Sequence, residues 1–240
     1  MALYDSFIET MSSHPKFVQN LEIYRNKKIS EFIDKFVCQK ENQKTVFEVG
    51  IGIGTFAEEI SKLGYRYTGL DRNQQMVSLF SEKYETIYGE IPPLMDSIKR
   101  NHYDLAYSAF VAEHMRDGIE LFEFVNGLKS VVKKDGIVAL IMPDARSMGI
   151  EFWNQDYTHR YPTTERNVSM ICNENNLKIE KIIFYRGPFL RNFWFSIIRF
   201  FAFFYNYRWF GRLFGNKTLF YSIYQYVKID IMLFICRKID

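Results

Sequence analysis

The chain has 240 residues, 48% of them hydrophobic, which is enough to bury one full α/β core and leaves little room for a second domain. Its three cysteines (Cys38, Cys172 and Cys236) form no CxxC pair and leave an odd count, excluding a disulfide framework and a zinc ribbon and fitting a reducing compartment. The net charge of +3 conceals a polarised distribution, because no acid occurs between Glu180 and Asp230 while eight lysines and arginines do.

In chain order, residues 2–37 read as helical, with Phe17, Leu21 and Tyr24 at spacings of three and four, and form a cap on the core. Asp5 and Glu9 interrupt the apolar stretch that an export signal would need, so none is expected. Lys44 to Gly50 reads as a first strand, followed by a helical pattern at Phe56, Ile60 and Leu63 that stops at Gly64. The unit repeats, with a strand at 67–70, a helix at 74–84 and a strand at 86–88. A fourth strand spans 103–108, a helix 118–133 and a fifth strand 136–142. A loop is expected over 143–162, then a helix capped by Thr163 or Thr164, a strand at 178–185 and a last strand at 227–235. Strands that alternate with helices require crossovers, hence a parallel sheet. The fold predicted is an α/β, Rossmann-like, doubly wound, mostly parallel seven-stranded sheet within a single domain. It divides into an N-terminal helical cap (1–43), the core (44–186), an aromatic and basic insertion (187–226) and the last strand (227–240).

The run Val46-Phe47-Glu48-Val49-Gly50-Ile51-Gly52-Ile53-Gly54 places an acid inside a strand and then Gly-x-Gly-x-Gly. Glycines there let the backbone turn sharply and approach a ligand at the carboxyl end of the first strand. The dinucleotide fingerprint G-x-G-x-x-G fails, because its third glycine would fall on Thr55. Asp71, at the tip of the second strand, is placed to accept the hydroxyls of an adenosine ribose; taken alone it also reads as a helix cap.

Glu48, the glycines, Asp71, Gly89-Glu90 and Glu113-His114, taken in order over about residues 44–144, resemble the class I S-adenosylmethionine-dependent methyltransferases. The resemblance implies S-adenosylmethionine as cofactor and S-adenosylhomocysteine as product. It implies that Gly50, Gly52 and Gly54 pass under the methionine part, that Glu48 organises the loop receiving its amino group, and that Asp71 holds the ribose. Arg72 then lies beside the adenine, Glu90 takes the place of an aspartate that bonds the adenine amino group, and Ala109 and Phe110 line the methyl end.

A base is needed only where the acceptor is a weak nucleophile. His159, three residues after Asp156, lies in a polar loop on the ligand side of the sheet, where Asp156 is placed to orient the imidazole; the alternative is a histidine that pins the loop. The stretch 156–162 resembles the Asp-x-Thr-His-x-x-Pro segment of methyltransferases of surface-polysaccharide and lipid-linked glycan pathways. His114 is the second candidate, with a scaffold role as its alternative. No spacing among Asp144, Asp156 and His159 demands a metal, and none is expected. An O-methyltransferase acting in the cytoplasm on a small-molecule or lipid-linked glycan precursor follows. A lipid, quinone or nucleic-acid methyltransferase and a non-catalytic binding module are the competing readings. The insertion, within 189–214, is either an interfacial helix at the inner face of the membrane or a lid or subunit contact; its sparse basic residues argue against nucleic acid.

Overall fold

A computed structural model describes residues 16–38, 43–187, 206–215, 220, 221, 224 and 229–240. Its elements begin with α1 (Lys16–Asp34), β1 (Thr45–Val49), α2 (Thr55–Lys62), β2 (Arg66–Asp71), α3 (Gln74–Phe80) and β3 (Glu85–Tyr88). There follow β4 (Tyr103–Ala109), a 3-10 turn (Ala112–His114), α4 (Gly118–Val131) and β5 (Val132–Pro143). The chain continues through α5 (Ala145–Met148), α6 (Glu151–Gln155), α7 (Glu165–Glu174), β6 (Leu177–Tyr185), α8 (Tyr207–Leu213) and β7 (Ile231–Lys238).

The seven strands lie in the order β3-β2-β1-β4-β5-β7-β6, and β7 alone runs against the others, pairing antiparallel with β5 and β6. Successive residues of a strand point to opposite faces, so Val46, Leu105 and Tyr107 pack on one face and Phe47, Val49 and Ala106 on the other. The first face is covered by Ile29 and Ile33 of α1 and by Phe56, Ala57 and Ile60 of α2. The second is covered by Leu121, Phe124 and Leu128 of α4 and by Val168 and Ile171 of α7. Phe56 stacks on Tyr107 with ring centroids 3.5 Å apart, which seats α2 directly over β4. Full burial of such a ring is worth about 1.5–3 kcal/mol.

The chain leaves β1 toward β2 and β3 on one side and resumes with β4 and β5 on the other. A crevice therefore opens at the carboxyl ends of β1 and β4, the switch point where open α/β sheets bind ligands.

Several boundaries differ from those read in the sequence, among them the start of β5, which lies at Val132 rather than 136. The stretch 143–162 holds two short helices rather than an open loop: Asp144 caps α5 by accepting from Arg146 N (3.2 Å), and Phe152 anchors α6 in the core. The last strand starts later, at Ile231, because that residue lies opposite Pro143, where its partner β5 ends. Helix α3 ends at Phe80, where Ser81 Oγ turns back onto Ser78 O (2.9 Å) and competes with a further helical turn. Of the two proposed caps of α7, Thr164 serves, accepting from Asn167 N (3.3 Å), while Thr163 Oγ1 donates to Pro143 O (2.7 Å). The aromatic stretch 189–205 lies outside the described residues, and among those described no helix is long and apolar enough to cross a membrane.

Candidate active site

A cavity of about 940 Å³ occupies the crevice, against roughly 300–1,000 Å³ for small-molecule sites in general. Of the residues read from the sequence, Glu48, Gly50, Gly52, Asp71, Arg72, Glu90, Ala109, Phe110, His114, Asp156 and His159 all line it.

One end is built by the loop after β1. Gly50 has φ +85°, and a β-carbon there would stand 2.7 Å from Val111 Cγ2, so only glycine lets the chain turn here beneath the loop that follows β4. Asp71 holds that loop in place: its Oδ2 accepts from Ile51 N (2.9 Å) and its Oδ1 from Asn73 N (2.8 Å). Burial raises the Asp71 pKa, and the backbone N–H groups of Asn73, Ile51 and Gly52 oppose that rise. A carboxylate accepting these bonds retains lone pairs for ligand hydroxyls. The cap of α3 is Asn73, not Asp71: its side chain accepts from Gln75 N (2.9 Å).

Glu48 is buried in the cavity wall and accepts a hydrogen bond from Tyr67 Oη. Burial holds its carboxyl well above the ordinary carboxylate range. An ammonium group placed against it would restore the ionised form. Glu90 lies exposed at the rim.

Gly54 stands apart from the other two glycines. It is no part of the cavity wall, and a β-carbon on it would meet the Phe80 ring at 2.4 Å. Its place is the packing of the loop against α3.

The other end is built by the 3-10 turn after β4 and the segment after α6. The rings of His114 and His159 lie 5.1 Å apart, centroid to centroid. His159 is buried, and its Nδ1 donates to Phe152 O (2.6 Å). Asp156 does not orient this imidazole by a hydrogen bond, contrary to the expectation from their spacing. Its Oδ1 accepts from Thr158 N (2.8 Å) and Thr158 Oγ1 (2.7 Å), because the side chain closes a turn two residues ahead. Having given its hydrogen to Asp156, Thr158 Oγ1 accepts from His114 Nδ1 (3.0 Å). Asp156 thus positions His114 through Thr158 and reaches His159 by charge alone. Both rings carry their hydrogen on Nδ1 and present the Nε2 lone pair.

Burial lowers the pKa of both histidines, only partly offset by the bonds they donate to the Thr158 and Phe152 carbonyls and by the charge of Asp156. Both are therefore neutral near pH 7. Burial also works against ionisation of Asp156, but its two bonds from Thr158 prevail and hold its pKa below the usual value.

Sequence reasoning missed two contributions to the cavity. Helix α1 lines it through Glu22, Arg25, Asn26 and Ile29, and Asn26 Nδ2 donates to Thr55 Oγ1 (2.7 Å), tying the cap to the start of α2. Tyr185 at the end of β6 and Tyr221 close another side. The helical period of α1 was visible, but not which of its polar residues faces inward.

A family model described as a methyltransferase domain matches residues 21–182, from inside α1 to the middle of β6. The chain belongs to this family. Its donor is S-adenosylmethionine, and the cavity fits it: a backbone loop that only glycine can form, the Asp71 carboxylate and the buried acid Glu48 share one wall, the chemistry that hydroxyl and ammonium groups of such a ligand call for. No curated protein matches the sequence. Among solved structures, an S-adenosylmethionine-dependent methyltransferase from Archaeoglobus fulgidus is similar over 93% of this chain and 100% of that chain, with 17% identity and a TM-score of 0.60. Geranyl diphosphate methyltransferase in complex with S-adenosylmethionine aligns over 88% of this chain and 85% of that chain, with 9% identity and a TM-score of 0.61. Phosphoethanolamine N-methyltransferase 2 of Haemonchus contortus aligns over 100% of this chain and 61% of that chain, with 15% identity and a TM-score of 0.59. At these identities the likeness is one of fold, and the named acceptors belong to those proteins.

Proposed function

We propose that this methyltransferase methylates a hydroxyl oxygen of a sugar or glycan precursor, nucleotide-linked or lipid-linked. The observation that carries the reading is the pair of neutral imidazoles, His114 and His159, on the wall of the same cavity as the glycine loop. S-adenosylmethionine supplies an activated sulfonium methyl, so the protein has to align the acceptor and, for a hydroxyl, remove its proton. His159 Nε2, with its ring held by Phe152 O, is set to take that proton, and His114 stands beside it. Arg116, Glu120, Gln155 and Arg160 add polar groups to this end of the cavity and suit a polyhydroxylated acceptor better than an apolar one. The likeness of 156–162 to the Asp-x-Thr-His-x-x-Pro segment of glycan-pathway methyltransferases points the same way.

The test uses methyl-labelled S-adenosylmethionine with nucleotide sugars, lipid-linked glycan precursors, a quinol, phospholipids and tRNA as acceptors. Label in an alkali-stable ether on a sugar is the expected result, with His159→Ala lowering turnover by about 100 to 10,000 fold at nearly unchanged cofactor affinity. Label in the quinol, the lipid or the RNA alone would overturn the assignment.

A further inference from the structure

Glu113, His114 and His159 form a cluster that the reaction above uses only in part. One carboxylate oxygen and one ring nitrogen from each histidine all lie within 4.8 Å of one another. Glu113 is only 1% exposed, and its Oε2 has no hydrogen-bond partner in the structure. A buried acid left in this state calls for a partner that the protein itself does not provide. The backbone is firmly held, since Glu113 O accepts from Arg160 N (2.9 Å) and Tyr161 N (3.1 Å), which clamps the 3-10 turn to the segment bearing His159. The turn that carries the side chain is thus fixed against the segment that carries His159.

The two histidines carry the outer contacts that fix a metal-ligating imidazole. Nδ1 of His159 donates to a backbone carbonyl, and Nδ1 of His114 donates to Thr158 Oγ1, which donates on to the Asp156 carboxylate. Such partners set the tautomer, turn Nε2 inward and raise its basicity. Tetrahedral ligands bound about 2.1 Å from one ion stand roughly 3.4 Å apart, so side-chain adjustments on the order of an ångström close this set.

We propose that Glu113, His114 and His159 bind a divalent transition-metal ion at the acceptor end of the cavity. The sequence offered no spacing that demands a metal, because the third ligand is distant in the chain and the pairing arises only from the clamp at Glu113 O. Two imidazoles with one carboxylate suit zinc, cobalt, manganese or iron rather than magnesium or calcium, and leave coordination positions open to the cavity. The proposal rests on the function above for the acceptor and its place in the cavity, and replaces its proton step, since a metal-bound hydroxyl needs no free imidazole. With the ion bound, the imidazole lone pairs are taken, and an acceptor hydroxyl at an open position is acidified as bound water is. Its proton then leaves to solvent instead of to His159. The oxygen lone pair forms the new bond to the methyl carbon, and the broken S–C pair stays on sulfur, leaving a neutral thioether.

The experiment titrates tag-free, chelator-stripped protein with Co2+ and Zn2+, reading visible cobalt absorption and calorimetric heat. One equivalent should bind. Glu113→Gln and His159→Ala should each weaken binding by at least about 10-fold, and Asp156→Asn by about 10-fold through the outer shell. Calorimetric binding of S-adenosylmethionine by each variant shows that it is folded. Absence of cobalt bands, or equal metal affinity in the Glu113→Gln/His159→Ala double variant, overturns the proposal. Sugar methylation that survives chelation without bound metal does so as well, yet leaves the assigned function standing. Metal bound by these residues alongside label in a lipid or quinol upholds the site and refutes the sugar acceptor.

Discussion

Thr158 Oγ1 stands 3.0 Å from Nδ1 of His114, a residue 44 positions earlier in the chain, and hands the negative charge of Asp156 on to that ring. Asp156→Asn should therefore lower the His114 pKa below its already depressed value, since the carboxylate is what favours the cation. Thr158→Val should move His114 and leave His159 nearly fixed, because His159 is held by Phe152 O. NMR titration of the two Cε1–H signals reads both. If His159 shifts in Thr158→Val while His114 stays put, the relay is wrongly assigned.

Gly54 should behave as a packing residue. Its φ of +72° and the Phe80 ring 2.4 Å from a would-be β-carbon predict that Gly54→Ala lowers thermal stability. The backbone alone costs about 1–2 kcal/mol for a non-glycine residue there. Adding Phe80→Ala should cost less than the two single losses summed, because the clash has been relieved. Affinity for S-adenosylmethionine should stay within about threefold by the absence of Gly54 from the cavity wall. A large loss of affinity at unchanged melting temperature would return Gly54 to the cofactor floor.

Glu48 makes the stability of the ligand-free protein depend on pH. Burial raises its folded pKa, so the folded state holds a proton that the unfolded chain releases. This contribution is full below the ordinary carboxylate pKa and is lost as pH rises through the elevated folded value. Glu48→Gln keeps the shape and removes the titration. Between acid and neutral pH the wild type should lose melting temperature relative to this variant, and a constant difference between the two would contradict the account.

The sheet was legible because strands buried on both faces read as short apolar runs between helical periods, and one wall of the cavity because Gly50, Gly52, Glu48 and Asp71 sit at fixed offsets from two strand ends. What was not legible depends on tertiary contact. Glycine spacing shows where a turn falls but not that Gly54 faces Phe80. Proximity in sequence suggested that Asp156 serves His159, whereas the turn aims its carboxylate at Thr158 and so at His114. Glu113 was read only as part of the Glu113-His114 pair, because the bonds from Arg160 N and Tyr161 N to its carbonyl join it to a segment distant in the chain. The inward face of α1 escaped for the same reason.

Calorimetric titration of S-adenosylmethionine, S-adenosylhomocysteine and NAD into the wild type and Asp71→Ala tests the central claim most directly. Both sulfur ligands should bind at one equivalent and NAD should not. Removing the Asp71 carboxylate should cost about 1–3 kcal/mol, an affinity lower by about 5- to 150-fold. Undiminished affinity in Asp71→Ala, or NAD binding in preference to the sulfur ligands, would contradict the account.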